Sequence, residues 1–267
     1  MRTFPLRRYA LLIAIACPAL ALAGPGADDR LTLSANGSTI SHADDGGGGS
    51  IGWLHNFNSN AIVGASAEYE TLAHSHWSFG SLSASFGTGS GDHKTTFYAD
   101  GHLGSGDDGA RSFDYATWVA GVYQNVTHQL ILQFEDKQVD IDRTHGNLPK
   151  FGIQYLLSPR LLGTVSYSHS VSGNLGTRLG FARLDYYGKT YTFIAGGAGG
   201  KASPDIVDLH GFLTTGATLR EGFAGVGRTF GRTDFTLLGD YIKLNTTERF
   251  TLTLNATVHL RGTGGAR

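Results

Sequence analysis

The stretch Phe250-Thr251-Leu252-Thr253-Leu254-Asn255-Ala256-Thr257-Val258-His259-Leu260-Arg261 alternates apolar and polar residues without a break. Successive side chains on a strand point to opposite faces, so this run has one apolar face and one wet face. It is as long as a tilted strand needs to be to cross a bilayer, roughly 9–11 residues. Strands of soluble sheets are usually nearer five or six.

Similar runs recur along the chain. Leu161, Gly163, Val165, Tyr167 and Val171 share one face, and Thr164, Ser166, Ser168, Ser170 and Ser172 share the other. Val63, Ala65, Ala67 and Tyr69 likewise oppose Gly64, Ser66, Glu68 and Glu70, and Phe113, Tyr115, Val119 and Tyr123 form a further row taken as apolar. About 14 strands are expected, within 12–16, since sequence patterns place boundaries only to a few residues. They are Leu31–Ser41, Ser50–Phe57, Ala61–Thr71, Trp77–Gly87, Lys94–Leu103, Phe113–Tyr123, Gln129–Ile141, Phe151–Leu157, Leu161–Ser172, Thr177–Tyr187, Thr190–Gly200, Glu221–Phe230, Thr233–Leu244 and Arg249–Arg261.

The joints alternate between tight ones, such as Ser158-Pro159-Arg160 and Gly231-Arg232, and long Gly/Asp-rich ones, such as Ala43 to Gly49, Gly104 to Arg111, Asp142 to Lys150 and Lys201 to Arg220. The last of these is either one surface loop or the site of a further strand pair. Outer-membrane barrels show the same asymmetry, with short periplasmic turns and longer surface loops. A sheet in lipid must also close on itself, because hydrocarbon cannot satisfy an open edge. The predicted fold is therefore an all-β, closed antiparallel transmembrane barrel. Trp53, Phe57, Tyr69, Trp77, Tyr123, Phe151, Phe230 and Tyr241, near strand ends, are expected to form its interfacial girdles.

Charges should point inward, because a midplane Arg or Lys on the lipid face costs roughly 2–4 kcal/mol. The expected lumen-lining residues are Glu68, Glu70, Arg178, Asp234, Asp240, His259 and Arg261. Arg228 conflicts with this rule, because it shares parity with Ala224, Val226 and Phe230. A bulge or a shifted register would reconcile it.

Composition points the same way. Charged residues make up 16% of the chain, against about 25% in soluble domains. The net charge of −1 argues against a nucleic-acid partner, which needs a basic face. Residues 1–23 have the layout of a secretory signal peptide: basic Arg2, Arg7 and Arg8, apolar Ala10 to Leu20, then Ala21-Leu22-Ala23. Cys17, the only cysteine, lies within it in a poor lipoprotein context, so the mature chain would hold no disulfide. Residues 24–261 form the barrel domain and 262–267 a flexible tail.

Motifs for chemistry are weak. Tyr167-Ser168-His169-Ser170-Val171-Ser172-Gly173-Asn174 partly resembles the His-x-Ser-Asn of barrel lipid hydrolases, but the residue two after His169 is Val171, which cannot serve as nucleophile. Gly196 to Ala202 lacks both the first glycine and the Ser/Thr of a phosphate loop. His74 with His76, and Asp44-Asp45, are too few ligands for zinc or calcium. No catalytic residue, metal or cofactor is expected.

The strings Tyr155-Leu156-Leu157-Ser158-Pro159-Arg160-Leu161, Leu184-Asp185-Tyr186-Tyr187-Gly188 and Gly225-Val226-Gly227-Arg228-Thr229-Phe230-Gly231-Arg232 resemble YaiO-like outer-membrane β-barrel proteins. The resemblance is diffuse and implies architecture, together with a link to exopolysaccharide export. One departure is that the last run ends on Leu260-Arg261, where such barrels end on an aromatic residue. The expected function is a non-enzymatic outer-membrane pore for small polar solutes or glycans. The alternatives are a lipid-modifying hydrolase using His169, or a structural or adhesive surface barrel. Expected partners are outer-membrane lipid and lipopolysaccharide, and the barrel-assembly machinery during insertion.

Overall fold

The computed structural model describes residues 28–41, 45–58, 60–72, 75–107, 112–141, 144–202 and 217–261. Residues 1–23, expected to be a signal peptide, the tail at 262–267, His74 and Asp44 lie outside the described residues.

The strands are β1 (Asp28–Ile40), β2 (Gly46–Asn58), β3 (Ala61–Leu72), β4 (Ser75–Thr88), β5 (Thr95–Asp107), β6 (Ser112–Asn125), β7 (Leu130–Ile141), β8 (Thr144–Ser158), β9 (Leu161–His169), β10 (Arg178–Tyr187), β11 (Tyr191–Ala202), β12 (Ala217–Phe230), β13 (Thr233–Leu244) and β14 (Thr247–Arg261). Each pairs antiparallel with its sequence neighbours, and β1 pairs with β14 from Asp28↔Arg261 to Ile40↔Arg249, which closes the sheet into a barrel. Closure satisfies every ladder donor and acceptor without an exposed edge, as a sheet in lipid requires.

Several expected boundaries are corrected: β9 ends at His169 rather than Ser172, and Gly104–Asp107 belongs to β5 rather than to a loop. Gly46–Gly49 is not loop but the start of β2, paired with β1 on one side and β3 on the other. A Cβ on Gly48 would sit 2.5 Å from the Tyr69 carbonyl oxygen, so the backbones approach too closely for any other residue. Thr144–Lys150 is likewise strand, paired with β7. The strand count is 14 because β11 pairs directly with β12 as far as Ala202↔Ala217. Among the described residues no further strand pair intervenes in the wall, and residues 203–216 lie outside them.

One end of the barrel carries the start of β1, the finish of β14 and mostly tight turns, including Gly231 at φ 62°. The other carries the two longest connections, β9–β10 and β11–β12, together with short ones such as β13–β14. We call these the turn end and the loop end. The outward face is apolar along its middle: Leu33, Ile51, Leu82, Val165, Leu237, Leu252 and Leu254 are all exposed. In water this would be an outsized hydrophobic surface, whereas in a bilayer lipid covers it. Phe57, Phe86, Phe97, Tyr186, Tyr191, Phe230 and Phe235 ring the outside near the turn end, and Tyr69, Tyr167, Tyr241 and Phe250 ring it nearer the loop end.

Arg228 needs neither bulge nor register shift. It points outward at the turn-end rim, two residues from the end of β12. Its guanidinium lies 5.1 Å from the Tyr191 ring centroid and 4.5 Å from that of Phe230, and it donates to the Tyr191 hydroxyl at 2.9 Å. A cation in the aromatic girdle is held by ring faces and reaches the headgroup layer.

Candidate functional site

The inward face defines a lumen with two zones. From the turn end to mid-barrel it is polar. The Tyr98 hydroxyl donates to Glu135 at 2.5 Å, Lys150 Nζ pairs with Glu135 at 2.8 Å, and Gln133 Nε2 donates to the hydroxyls of Tyr98 and Tyr123 at 3.2 and 3.0 Å. Around the wall, His102 meets Asp100 at 2.7 Å, Arg183 donates to Asp185 at 2.8 Å, and Asp234 holds both His259 at 2.7 Å and the Thr229 hydroxyl at 2.6 Å. Alternation of side chains on β5, β6, β7, β8, β10, β12, β13 and β14 carries these groups inward.

The space between them is open to water. The side chains of His102, Lys150 and Arg183 keep 23–27% exposure, and those of His259 and Asp234 keep 31% and 40%. The belt carries both signs with carboxylates in excess: Asp100, Glu135, Asp185 and Asp234 stand with Lys150, Arg183 and two histidines.

Toward the loop end the inward side chains become apolar and close-packed. Ile40 and Trp77 form one cluster with Phe79; Val139, Ile141, Leu148 and Leu175 form a second with Phe113 and Tyr115; Leu179, Ala217, Leu219, Ile242 and Leu244 form a third with Ala198. Leu175 comes from the β9–β10 connection and is completely buried. The three clusters form a collar inside the barrel wall, interrupted where the buried Glu70 and Arg249 stand on β3 and β14.

Of the expected lumen residues, Glu68, Glu70, Asp234, Asp240 and His259 face inward, on the parity of the buried Ser66, Ile242 and Thr251. Arg178 does not. It opens β10 on the outward parity of Leu184 and Tyr186 and is exposed at the loop end, where its charge lies beyond the apolar band. The side chain of Arg261 lies outside the described residues.

Two expected girdle aromatics are also corrected: Trp77, 2% exposed, and Tyr123, 8% exposed, line the lumen. The whole row Phe113, Tyr115, Val119 and Tyr123 faces inward, with Trp118 on the opposite, lipid-facing side of β6. The pattern of β6 contained the clue. Its outward face is polar only near its ends, at Ser112, Asp114 and Gln124, whereas the inward face carries Thr117 and Gly121 near its middle. Gly121 is inward because the Tyr98 ring lies over it, and Gly101 outward because the Trp118 ring covers it.

His169 and the serines do not assemble a dyad. His169 points outward and stacks on Tyr167 with centroids 6.5 Å apart, while Ser168 is buried on the inward face. Ser170 Oγ accepts from the Thr177 backbone amide at 3.0 Å, and Asn174 Oδ1 accepts from that of His145 at 2.9 Å.

No protein-family model and no curated protein matches the sequence. Solved structures do match the fold. The TodX deltaS2S3 mutant, a monoaromatic hydrocarbon channel, is 10% identical with a TM-score of 0.59, over 90% of this chain and 91% of that one. A Pseudomonas aeruginosa FadL homologue is 9% identical with a TM-score of 0.56, over 86% and 90%. The Acinetobacter baumannii outer membrane protein Omp33 is 10% identical with a TM-score of 0.54, over 87% and 99%. At such identities the likeness is one of fold: this chain is built as the outer-membrane barrels are.

Proposed function

We propose that the chain is an outer-membrane channel that passes small polar solutes, glycans among them, through its charged lumen, with the apolar collar as the narrow point. The observation that carries this reading is the exposure of the inward charges. Within a closed cylinder, water reaches His102, Lys150, Arg183 and His259 only along the lumen. A belt that offers donors and acceptors of both signs can hydrogen-bond polar solutes along the lumen, and its excess of carboxylates disfavours anions. The more specific link to exopolysaccharide export rests on the YaiO-like strings. Outer-membrane fractionation with heat-modifiable gel mobility tests the location. Planar-bilayer recording tests the channel: discrete conductance steps are expected from folded protein, with larger steps for Trp77→Ala. Silence from both proteins, each verified as folded, refutes the channel.

A second reading, passage of small apolar solutes, is favoured by the aromatic part of the collar, Trp77, Phe79, Phe113 and Tyr115. The TodX deltaS2S3 mutant, a monoaromatic hydrocarbon channel, is a barrel of similar fold. Titrating toluene into a variant that keeps Trp77 as its sole tryptophan distinguishes the two: saturable quenching supports the apolar route, and unchanged emission supports the polar one.

A further inference from the structure

Outward-facing cations are concentrated on one wall of the barrel at the loop end. Arg178 on β10 stands directly opposite Lys201 on β11, and Arg220 on β12 stands directly opposite Lys243 on β13. Gly199, the register partner of Arg220, lies two residues from Lys201, so the two pairs are diagonal neighbours across β11 and β12. All four side chains share the outward parity, and Arg178, Lys201 and Arg220 are exposed. Lys243 has a carboxylate partner, Glu248. Among the described residues, Arg178, Lys201 and Arg220 have none. Like charges placed directly opposite on neighbouring strands repel each other. Of the two such pairs in this row, Arg220–Lys243 is eased by Glu248 and Arg178–Lys201 has no carboxylate among the described residues, so a polyanion would remove the repulsion that the row still carries. The distribution is not uniform around the rim, since β6 and β7 present Asp114 and Asp140 outward at the same end.

Directly below the row, toward mid-barrel, the outward wall has almost no side chains. Gly180 and Ala182 on β10, Gly197 and Gly199 on β11, and Gly222 and Ala224 on β12 are linked through the pairs Gly180↔Gly199, Ala182↔Gly197 and Gly197↔Gly222. Packing does not impose all of these glycines. A Cβ on Gly222 would meet nothing within 4 Å, and one on Gly180 or Gly199 only a carbonyl oxygen at 3.9 Å. The wall is therefore a smooth floor beside Tyr241, which pairs with Gly222.

We propose that this wall is a binding site for a phosphorylated glycolipid of the outer leaflet, with the headgroup phosphates on Arg178, Lys201, Arg220 and Lys243 and the acyl chains against the side-chain-poor floor. Arg guanidinium groups bind phosphate through paired donors, and Lys binds it as a point charge. A lipid with several chains needs the flat surface that the floor provides. The inference rests on the loop end facing the outer leaflet, as the outer-membrane reading requires.

The test uses the whole barrel refolded in detergent. Its heat-modifiable gel shift is recorded first, so that loss of folding is distinguished from loss of binding. Purified lipopolysaccharide, the same glycolipid with its phosphates removed, and phosphatidylglycerol are titrated, and bound lipid per barrel is read by native mass spectrometry. Lipopolysaccharide is expected to bind at least about tenfold more tightly than either other lipid, a gap of about 1.4 kcal/mol. The combined variant Arg178→Gln, Lys201→Gln, Arg220→Gln should lose that advantage with its gel shift intact, and Gly222→Leu should weaken binding with the cations untouched. Equal binding by the triple variant, by the dephosphorylated lipid or by phosphatidylglycerol overturns the proposal. Should the triple variant not fold, salt titration of the unaltered barrel decides the matter, since exposed charge contacts are screened within about 3 Å at 1 M salt: binding must fall steeply, and salt-independent binding overturns the site. None of these readouts depends on conductance, so a silent channel leaves them interpretable.

Discussion

A single strand, β14, allows the assignment of faces to be tested quantitatively. Its outward residues run from Phe250 to Leu260 and its inward ones from Arg249 to His259. Phe250 and its partner Tyr241 mark the loop-end girdle, and Val258 is in register, through Thr233, with Phe230 of the turn-end girdle. Leu254 therefore lies near the bilayer midplane. Each residue advances about 3.3 Å along a strand, or about 2.5 Å along the normal at a tilt near 40°. Phe250, four residues away, is then about 10 Å from the midplane, close to the edge of an apolar band about 25 Å tall. Arg on the lipid face costs roughly 2–4 kcal/mol at the midplane and about 0–1 near the interface. We expect Leu254→Arg to lose about 3 kcal/mol, Leu252→Arg about 2 and Phe250→Arg under about 1. Thr253→Arg, one residue away but facing the lumen, should lose less than about 1 kcal/mol, because its charge reaches lumen water and the carboxylate belt. Reversible urea unfolding in lipid vesicles measures each value. A Thr253→Arg loss equal to that of Leu254→Arg, or a flat series with depth, refutes the arrangement.

Three further outcomes follow from particular contacts. In variants that each retain one tryptophan, brominated lipid should quench Trp53 and Trp118 strongly and leave Trp77 bright; quenching of Trp77 would place it back in the girdle. Arg228→Ala removes two ring contacts and a hydrogen bond at the rim and should cost about 1 kcal/mol in the same urea assay, whereas Arg228→Lys should recover only part, because an ammonium cannot stack its plane on the rings. Lys150→Glu places a second carboxylate beside Glu135 and should shift the zero-current potential in a salt gradient toward cation selectivity; an unchanged potential would mean that permeating ions do not pass this part of the lumen.

Much of this architecture was legible in the chain. Strict alternation in β14, β9 and β3 fixed both the strands and their faces, because there one face is wholly apolar and the other carries Thr, Ser or Glu. It failed where both faces mix. On β6 the richer apolar face, Phe113 to Tyr123, turned out to line the lumen: Phe113 and Tyr115 pack in the apolar loop-end interior, and Tyr123 accepts a hydrogen bond from Gln133 in the polar zone. Periodicity separates two faces but cannot tell which one meets lipid when the interior is not uniformly wet. Trp77 failed for the same reason. Arg178 was assigned by the rule that charge points inward, but that rule weakens within a residue or two of a strand end, where side chains leave the apolar slab. The apolar collar was not expected at all, since its members come from nine strands and one connection and meet only in the folded sheet.

The seam between β1 and β14 has a consequence for biogenesis. All 13 residues of β1 find their partners on a strand made more than 200 residues later. Until that last strand is available, the growing sheet has two raw borders, each a ladder of unsatisfied amides and carbonyls that hydrocarbon cannot accommodate. No shortened version that stops before β14 can settle in the bilayer as a smaller barrel. The polypeptide must be kept unfolded in water until it is finished and then join its first and last ribbons as one event. Blocking β14 with a complementary peptide should therefore arrest insertion of the entire molecule.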